Sequence, residues 1–245
     1  MKQYEAVIDT MTKLGGVATL GQLYQEVFKI KDCNWGTKTP HASIRRIVQQ
    51  NNNIYKIKPG LYGLKSFKKE LENKGILIEN ESNKNSKEIT EFNHSYYQGL
   101  LVVVGNLKLF NTFIPAQDSN RTFLDKKLSE LSSLNSIPDF SYSHFVKRSS
   151  TIDVIWFNER KMPHSFFEVE HSTNIQNSLL KFNDLQDFNT RMIIVADKVK
   201  KKEYESKIKY SSFKEIGKRL NFISYEALTK QYEALIEQQT HEIIL

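Results

Sequence analysis

The spacing of apolar side chains over residues 1–66 predicts three helices. Apolar residues recur there at intervals of three and four, which is the period of a helix with one buried face. Gly15 lies where the first helix should end, and Thr19 is a suitable cap for the second. Thr39 and Pro40 suit the cap and the first turn of the third helix.

A β-hairpin is predicted directly after the third helix. Ile54–Lys58 and Leu61–Leu64 are short β-prone runs, and Pro59-Gly60 between them is a turn sequence. Three helices followed by a hairpin is the order of elements in a winged helix. The third helix of that fold usually enters the major groove of DNA, and the hairpin, or wing, touches the DNA backbone.

Residues 67–91 are rich in Lys, Glu, Asn and Ser and contain few side chains that could drive burial. They predict an exposed linker that is partly helical at its start. This linker divides the chain into residues 1–66 and residues 92–245.

Residues 92–245 predict helices that alternate with strands. The predicted helices are Phe92–Phe110, Phe123–Leu134 and Ile175–Phe188, with a basic helix that starts at Lys198. The predicted single strands are Phe113–Ala116, Met192–Asp197 and Phe222–Tyr225. Together with a hairpin between the second and third of these helices, this order predicts a mixed sheet with helices on its faces, and hence an α/β protein (α+β overall).

That hairpin carries the most informative residues of the chain. Two β-branched, aromatic and apolar runs, Thr151–Phe157 and Ser165–Glu170, lie on either side of the six-residue turn Asn158–Pro163. Reflection about the centre of that turn places Asp153 opposite Glu168. Because alternate residues of a strand share a face, Glu170 joins them at the same end. Buried carboxylates repel one another and are costly to desolvate, so a divalent cation, Mg²⁺ or Mn²⁺, is the expected compensation.

Composition and charge narrow the class of protein. The chain of 245 residues contains a single cysteine, Cys33, which excludes an internal disulfide framework and a Cys-rich zinc site. Neither a bilayer-spanning apolar run nor a signal peptide is recognisable, so a cytoplasmic protein is expected.

Residues 1–74 contain 13 Lys and Arg against 6 Asp and Glu, whereas residues 75–245 contain 22 of each, so the net charge of +7 belongs to the first third. This distribution fits a polyanion-binding module or, alternatively, a solvated basic surface.

The first region resembles a known DNA-binding family. Residues 35–44 read Trp-Gly-Thr-Lys-Thr-Pro-His-Ala-Ser-Ile and residues 58–64 read Lys-Pro-Gly-Leu-Tyr-Gly-Leu. These motifs resemble the HARE-HTH winged-helix family, which is found fused to chromatin proteins and restriction-type nucleases. The resemblance covers nearly all of residues 1–65 and implies double-stranded DNA as a partner. The implied DNA contacts are Lys38, Thr39, His41, Arg45, Arg46, Lys56 and Lys58.

The second region resembles the PD-(D/E)xK nuclease superfamily, in particular a restriction-endonuclease-like branch of it. The resemblance rests on Asp153 in one strand and Glu168-x-Glu170 in the next, and on the blocks 94–100, 114–118, 152–156, 167–173 and 178–185. It implies a Mg²⁺-dependent DNA endonuclease of the type II restriction kind, which hydrolyses phosphodiester bonds. The implied catalytic residues are Asp153, Glu168, Glu170, Lys181, His94 and Gln98, and the implied metal ligands are Asp153, Glu168 and Glu170.

Glu170 departs from the family pattern, because the family usually has lysine at that position. A glutamate could act as a general base or as a ligand of a second metal, and Lys181 on the following helix could return a positive charge to the site. His94 and Gln98 would bind the phosphate or position water. Cleavage of both DNA strands would require a homodimer or two sequential nicks.

Two other functions are compatible with the same sequence. One is a DNA-binding regulator whose nuclease-like domain is inert, and the other is a repair nuclease that recognises DNA structure. At residue level, Glu170 could be a surface acid, Asp153 and Glu168 an unliganded pair, His94 a packing residue and Lys181 an exposed helix lysine.

Overall fold

The structure, a computed structural model, describes residues 1–171 and 174–244. Ser172 and Thr173, which end one of the blocks that carry the nuclease resemblance, lie outside the described residues. The chain divides into two compact units. The first contains Met1–Phe92 together with the chain from Thr229 onward, and the second contains Asn93–Leu228.

The N-terminal elements follow the predicted order of helices and hairpin. Their bounds are α1 Gln3–Lys13, β1 Val17–Thr19, α2 Leu20–Glu26, α3 Pro40–Gln50, β2 Ile54–Lys58, β3 Leu61–Leu64, α4 Lys68–Asn73 and α5 Lys87–Leu107. The strands form an antiparallel sheet of order β1-β3-β2.

The three helices and the hairpin are confirmed, with one difference at a helix cap and one additional strand. Thr19 caps α2 as predicted, since its Oγ1 accepts a hydrogen bond of 3.1 Å from the backbone N–H of Gln22. Thr39 occupies the cap position of α3, but its side chain accepts no capping hydrogen bond. Strand β1, which pairs Ala18 with Tyr62, is missing from the prediction because three residues are too short to show a period.

The polar segment between the two predicted domains carries ordered structure. It contains α4 and the start of α5, and three of its apolar side chains, Leu71, Ile76 and Ile89, are buried, whereas Ile78 is exposed. These few buried residues therefore anchor a segment whose other side chains are mostly polar and suited to solvent. No helix in the described part of the chain is long and apolar enough to cross a membrane.

The remaining elements alternate strands and helices. Their bounds are β4 Asn111–Phe113, β5 Thr122–Phe123, β6 Lys126–Lys127, α6 Leu128–Leu131, α7 Ser143–Ser149, β7 Val154–Phe157, β8 Pro163–Glu170, α8 Ile175–Asn183, β9 Arg191–Ala196, α9 Lys201–Lys207, β10 Leu220–Ser224 and α10 Tyr225–Ile244. From Thr229 onward, α10 belongs to the first unit.

A mixed five-stranded sheet of order β10-β9-β8-β7-β4 organises the second unit, as the α/β prediction requires. Strands β8, β9 and β10 are parallel, whereas β7 and β4 are antiparallel to their neighbours. Glu170 pairs with Ala196 and Ala196 with Ser224, so these strand ends lie at one edge, which we call the acidic edge. The core beneath the sheet includes the fully buried Phe166, Ile194 and Leu179.

The acidic hairpin has the predicted register. Val154 pairs with Phe167 and Ile155 with Phe166, so the mirror point lies at the centre of the predicted turn and Asp153 precedes β7 across from Glu168. A bulge changes the register only next to the turn. The prediction that the first strand begins at Thr151 is wrong, because β7 begins at Val154.

The predicted helix at 123–134 is largely wrong. Phe123 belongs to a short hairpin of β5 and β6, and only Leu128–Leu131 is helical. Leu124 has a φ of 57°, which a right-handed helix cannot contain. The helix predicted from Ile175 is confirmed, but it ends at Asn183, five residues earlier than expected.

A core substitution tests this packing. Replacing the fully buried Phe166 by alanine should lower the free energy of unfolding by about 3–5 kcal/mol, since it removes apolar contacts and leaves a cavity beneath the sheet. The matched control is Met162→Ala in the hairpin turn, where 43% of the residue is exposed. Urea unfolding should separate the two variants, and equal stability losses would contradict the packing.

Candidate active site

Four elements bring polar side chains to the acidic edge of the sheet. Strand β8 ends with Glu168-Val169-Glu170, whose two carboxylates share a face because strand residues alternate. Asp153 immediately precedes β7, the antiparallel neighbour of β8. Helix α5 contributes His94 and Gln98 from successive turns, and helix α8 contributes Ser178 and Lys181 in the same way.

One group of side chains gathers around Asp153. The Nε2 atom of His94 lies 3.7 Å from Oδ1 of Asp153 and 3.9 Å from Oδ2 of Asp118. The side-chain amide of Gln98 donates to Oδ2 of Asp118 at 2.9 Å and to the backbone carbonyl of Asp153 at 3.1 Å. We call His94, Asp118 and Asp153 the acidic triad.

Two contacts fix the orientation of the triad carboxylates. Oδ2 of Asp153 accepts a hydrogen bond of 2.8 Å from the backbone N–H of Val169. Arg121 holds the other side of Asp118, with its Nε 2.9 Å from Oδ1. Asp118 and Asp153 are both buried, so these contacts set the positions of their free lone pairs.

A second group, Glu168, Glu170, Ser178 and Lys181, lies beside the triad. The Nζ atom of Lys181 is 3.0 Å and 2.8 Å from the two carboxylate oxygens of Glu168, and it also donates to the carbonyl of Thr151 at 3.1 Å. The hydroxyl of Ser178 contacts Glu168 at 2.9 Å and makes a close contact with Glu170. We call these four residues the lysine–glutamate group.

Burial controls the charge of the central carboxyls. Removal from water raises the pKa of Glu168 well above its ordinary value, and the neighbouring Asp153 adds to the increase; Lys181 opposes it only in part. Burial also raises the pKa of Asp153, against the opposing effects of His94 and Lys181. Ionising both acids together is therefore unfavourable unless more positive charge is supplied.

The pKa values of the neighbouring His94, Lys181 and Asp118 shift in the directions that favour their charged forms. Burial alone would lower the pKa of His94, but the carboxylates of Asp118 and Asp153 outweigh it and raise that pKa. Burial would likewise lower the pKa of Lys181, and its ion pair with Glu168 raises it instead. For Asp118, burial raises the pKa, whereas contacts with His94, Gln98 and Arg121 bring it below its ordinary value.

The acidic triad fits a divalent metal ion. One ligand atom from each of its three residues lies within 4.8 Å of the others. Two carboxylates and an imidazole are a suitable donor set for Mn²⁺, and the carboxylates suit Mg²⁺. Oε1 of Gln98 is a further buried oxygen with no hydrogen-bond partner within the described residues, and it lies on a side chain that already contacts the triad.

The structure brings together all six residues implied by the nuclease resemblance, but it distributes them differently. Asp153 lies in the triad with His94 and beside Gln98, whereas Glu168 and Glu170 lie with Lys181. The sequence prediction missed three residues that complete these contacts, namely Asp118, Arg121 and Ser178. Asp118 and Ser178 do occur in the family-like blocks 114–118 and 178–185, which was the available signal.

The residues proposed to contact DNA from the first unit differ in their exposure to solvent. Lys38, Thr39, Arg46 and Lys56 are exposed. Arg46 and Thr39 also line a cavity of about 660 Å³ beside the start of α3. Arg45 is half-buried and lies 3.9 Å from the carboxylate of Glu237 on α10.

His41 and Lys58, by contrast, are buried. His41 packs edge-on against Tyr24 and Phe28, with its Nε2 3.0 Å from the Thr240 hydroxyl. Lys58 lies 4.1 Å from the centre of the Phe92 ring, and burial lowers its pKa to about 7. These positions assign both side chains to the interior of the first unit, and the exposed residues are the better candidates for DNA contact.

The pH dependence of stability tests the buried carboxyl of Glu168. In the metal-free protein the folded state binds this proton more tightly than the unfolded chain, whose pKa is near the ordinary 4.5. The free energy of unfolding should therefore decrease as the pH rises from about 4.5 towards the raised folded-state pKa. Glu168→Gln cannot titrate, so urea unfolding in EDTA should show a shallower decrease over this window.

The control for that measurement is Glu159→Gln, in the exposed turn of the same hairpin. It should follow the pH profile of the unmodified protein. A Glu168→Gln profile parallel to that of Glu159→Gln would contradict the raised pKa.

Comparison with known proteins identifies the family. The sequence model of the family described as Type II restriction enzyme NmeDI C-terminal domain matches residues 76–244. The Type II restriction enzyme NmeDI of Neisseria meningitidis serogroup C is 26% identical over 156 residues, which cover 60% of this chain and 44% of that enzyme, so the chain spans less than half the length of this relative. No solved structure matches the chain significantly. Because the family match covers well over half of its residues, the protein belongs to the Type II restriction enzyme NmeDI C-terminal domain family.

Proposed function

We propose that the protein is a Mg²⁺- or Mn²⁺-dependent endonuclease of the restriction type, which hydrolyses phosphodiester bonds in double-stranded DNA. The observation that carries this proposal is the pairing of a buried acidic triad with the adjacent lysine–glutamate group. The family match and the similarity to a type II restriction enzyme support it. The second unit would then be a variant of the PD-(D/E)xK fold.

In this proposal, the acidic triad holds the metal. Within the triad, Asp153 is taken as the central ligand because it lies 3.7 Å from His94 and also neighbours Glu168 of the lysine–glutamate group. When bound, the metal supplies a Lewis acid that neutralises charge on the phosphate and lowers the pKa of the attacking water. Gln98 positions the ligands by donating hydrogen bonds to Asp118 and to the backbone of Asp153.

Lys181 would supply the positive charge that the family usually takes from lysine at the position of Glu170. Its ion pair with Glu168 raises its pKa, so it stays protonated at neutral pH. About a quarter of its side chain is exposed, which gives a phosphate access to the ammonium group. A preorganised cation at this place would stabilise negative charge that develops in the transition state.

We propose that different parts of the chain bind DNA and cut it. Residues 1–66 would be a winged-helix DNA-binding domain, residues 67–91 a linker, and residues 92–245 the nuclease domain. The excess positive charge of the first third and the exposed Lys38, Arg46 and Lys56 support the first assignment. Cutting both strands would need a homodimer or two sequential nicks.

An inert, DNA-binding regulator is the second candidate function. It is favoured by Glu170, which stands where the family usually has lysine and which contacts Ser178. In that case Lys181 would be a structural partner of Glu168. The two candidates differ in whether purified protein cuts DNA.

Cleavage of plasmid DNA in Mg²⁺ or Mn²⁺ tests the proposed chemistry. Asp153→Asn should reduce the cleavage rate by more than about 100-fold, because it removes the charge of the central ligand. Lys181→Ala should reduce it by about 100- to 1000-fold at unchanged DNA affinity, since the lost cation acts in the transition state. Glu159→Gln and Arg160→Ala, in the turn at the far end of the hairpin, are charge-matched controls that should cut normally.

The pattern of products separates the alternatives. Discrete fragments on methylated or unmethylated plasmid indicate restriction-type cleavage, and cutting only of branched or flapped substrates indicates a structure-specific nuclease. DNA binding without cutting under either metal and either methylation state would support the inert regulator and reject the proposal.

A pair of neighbouring arginines tests the winged-helix assignment. Arg46 is exposed on α3, whereas Arg45 is held by Glu237 and lies 5.9 Å from the centre of the Tyr24 ring. Arg46→Ala should therefore weaken binding of a DNA duplex by about tenfold, which is the scale of one good base or phosphate contact. Arg45→Ala should have a much smaller effect. Fluorescence anisotropy in EDTA measures both, and equal losses would contradict this orientation of α3.

A further inference from the structure

A basic segment follows strand β9 at the acidic edge of the sheet. Ala196, the last residue of β9, pairs with Glu170 on one side and Ser224 on the other. Lys198 comes only two residues later. The segment from 198 to 209 contains six Lys and Arg against two Asp and Glu, although residues 75–245 as a whole are neutral.

Local contacts hold this segment in place. The side chain of Asp197 accepts a hydrogen bond of 2.9 Å from the backbone N–H of Val199, which starts the helical turn at the strand end. Tyr204 is buried, and Lys207 donates to Gln176 at 2.9 Å. Helix α9 is thereby attached to the start of α8, the helix that carries Ser178 and Lys181.

At the start of the segment, two lysines remain available for an anion. Lys200 is paired with Glu203 at 3.1 Å, and Lys201 lies 3.9 Å from Glu205. Lys198 and Lys202 are exposed, and no acidic partner within 4 Å is present for either among the residues that the structure describes. They are four residues apart, on the strand-end turn and on the first turn of α9.

We propose that Lys198 and Lys202 bind backbone phosphates of the DNA next to the bond that is cut. This inference rests on the proposed nuclease function and adds a DNA-contacting surface in the second unit. The partner is a polyanion, because two exposed cations at the edge that carries the acidic triad would offset the repulsion between those acids and the DNA. Each phosphate bound by a lysine releases counterions, which makes the affinity depend on salt.

The chain contains a matched control pair at the opposite edge of the sheet. Lys214 and Lys218 are also exposed and four residues apart. They precede Leu220, which pairs with Met192 near the start of β9, so they lie at the end of the sheet away from Glu170. Removal of either pair changes the net charge by the same amount.

The test compares full-length Lys198→Ala/Lys202→Ala with Lys214→Ala/Lys218→Ala. Binding of a labelled duplex in EDTA is measured by fluorescence anisotropy at several salt concentrations. The first variant should show a log–log salt dependence that is less steep by about 1.8, because two phosphate contacts are lost at roughly 0.9 each. The control should keep the slope of the unmodified protein. Thermal melting confirms folding, and Lys→Gln versions replace any alanine variant that melts early.

The outcomes separate this inference from the proposed function. Equal slopes for the two double variants would overturn the phosphate contacts, whether or not the affinity falls, because a general charge effect changes both alike. If the unmodified protein binds DNA and the Lys198→Ala/Lys202→Ala variant keeps its slope, only this inference fails. If the unmodified protein does not bind DNA at any salt concentration, the proposed function fails with it.

Discussion

The burial of two facing carboxyls, Asp153 and Glu168, is the constraint on which the candidate site depends. Each is nearly inaccessible to solvent, and burial raises the pKa of both carboxyls. The neighbouring Asp153 adds to the increase at Glu168, and Asp118 adds to the increase at Asp153. A strand pair that carries two such acids is costly unless other groups compensate them. The N–H of Val169 and the ammonium group of Lys181 supply part of this compensation. A metal ion on the acidic triad would supply the remainder, and in that account the same constraint produces both the structure of the edge and its proposed chemistry.

The local part of this site could be predicted from the sequence, because hairpin register follows from the turn and from alternation. Asp153 and Glu168 face each other as the mirror argument requires. Asp118 could not be found in this way. It follows a three-residue strand and lies 35 residues from Asp153 in the sequence, and its place in the triad results from tertiary contacts with Gln98 and His94. Ser178 was missed for a similar reason, since a serine in a helix has no pattern that indicates contact with two glutamates on the preceding strand.

The first unit illustrates a different limit of sequence analysis. The order of its helices and hairpin follows from apolar spacing and turn residues, and the structure confirms it. The orientation of individual cations on α3 and on the β2–β3 hairpin does not follow, because apolar spacing does not say whether a long charged side chain packs inward or points to solvent. Packing of the distant residues from Thr229 onward buries His41 and pairs Arg45 with Glu237, which leaves Arg46 on the exposed side.

The most direct test of the central claim is the anomalous scattering of Mn²⁺ in crystals of the protein. The account predicts a strong peak within bonding distance of Asp153 and of at least one of Asp118 and His94, and it predicts that the peak is lost in crystals of Asp153→Asn. Saturating Mn²⁺ with no peak at these three side chains, or with a peak held by other residues, would contradict the assignment of the acidic triad as the metal site.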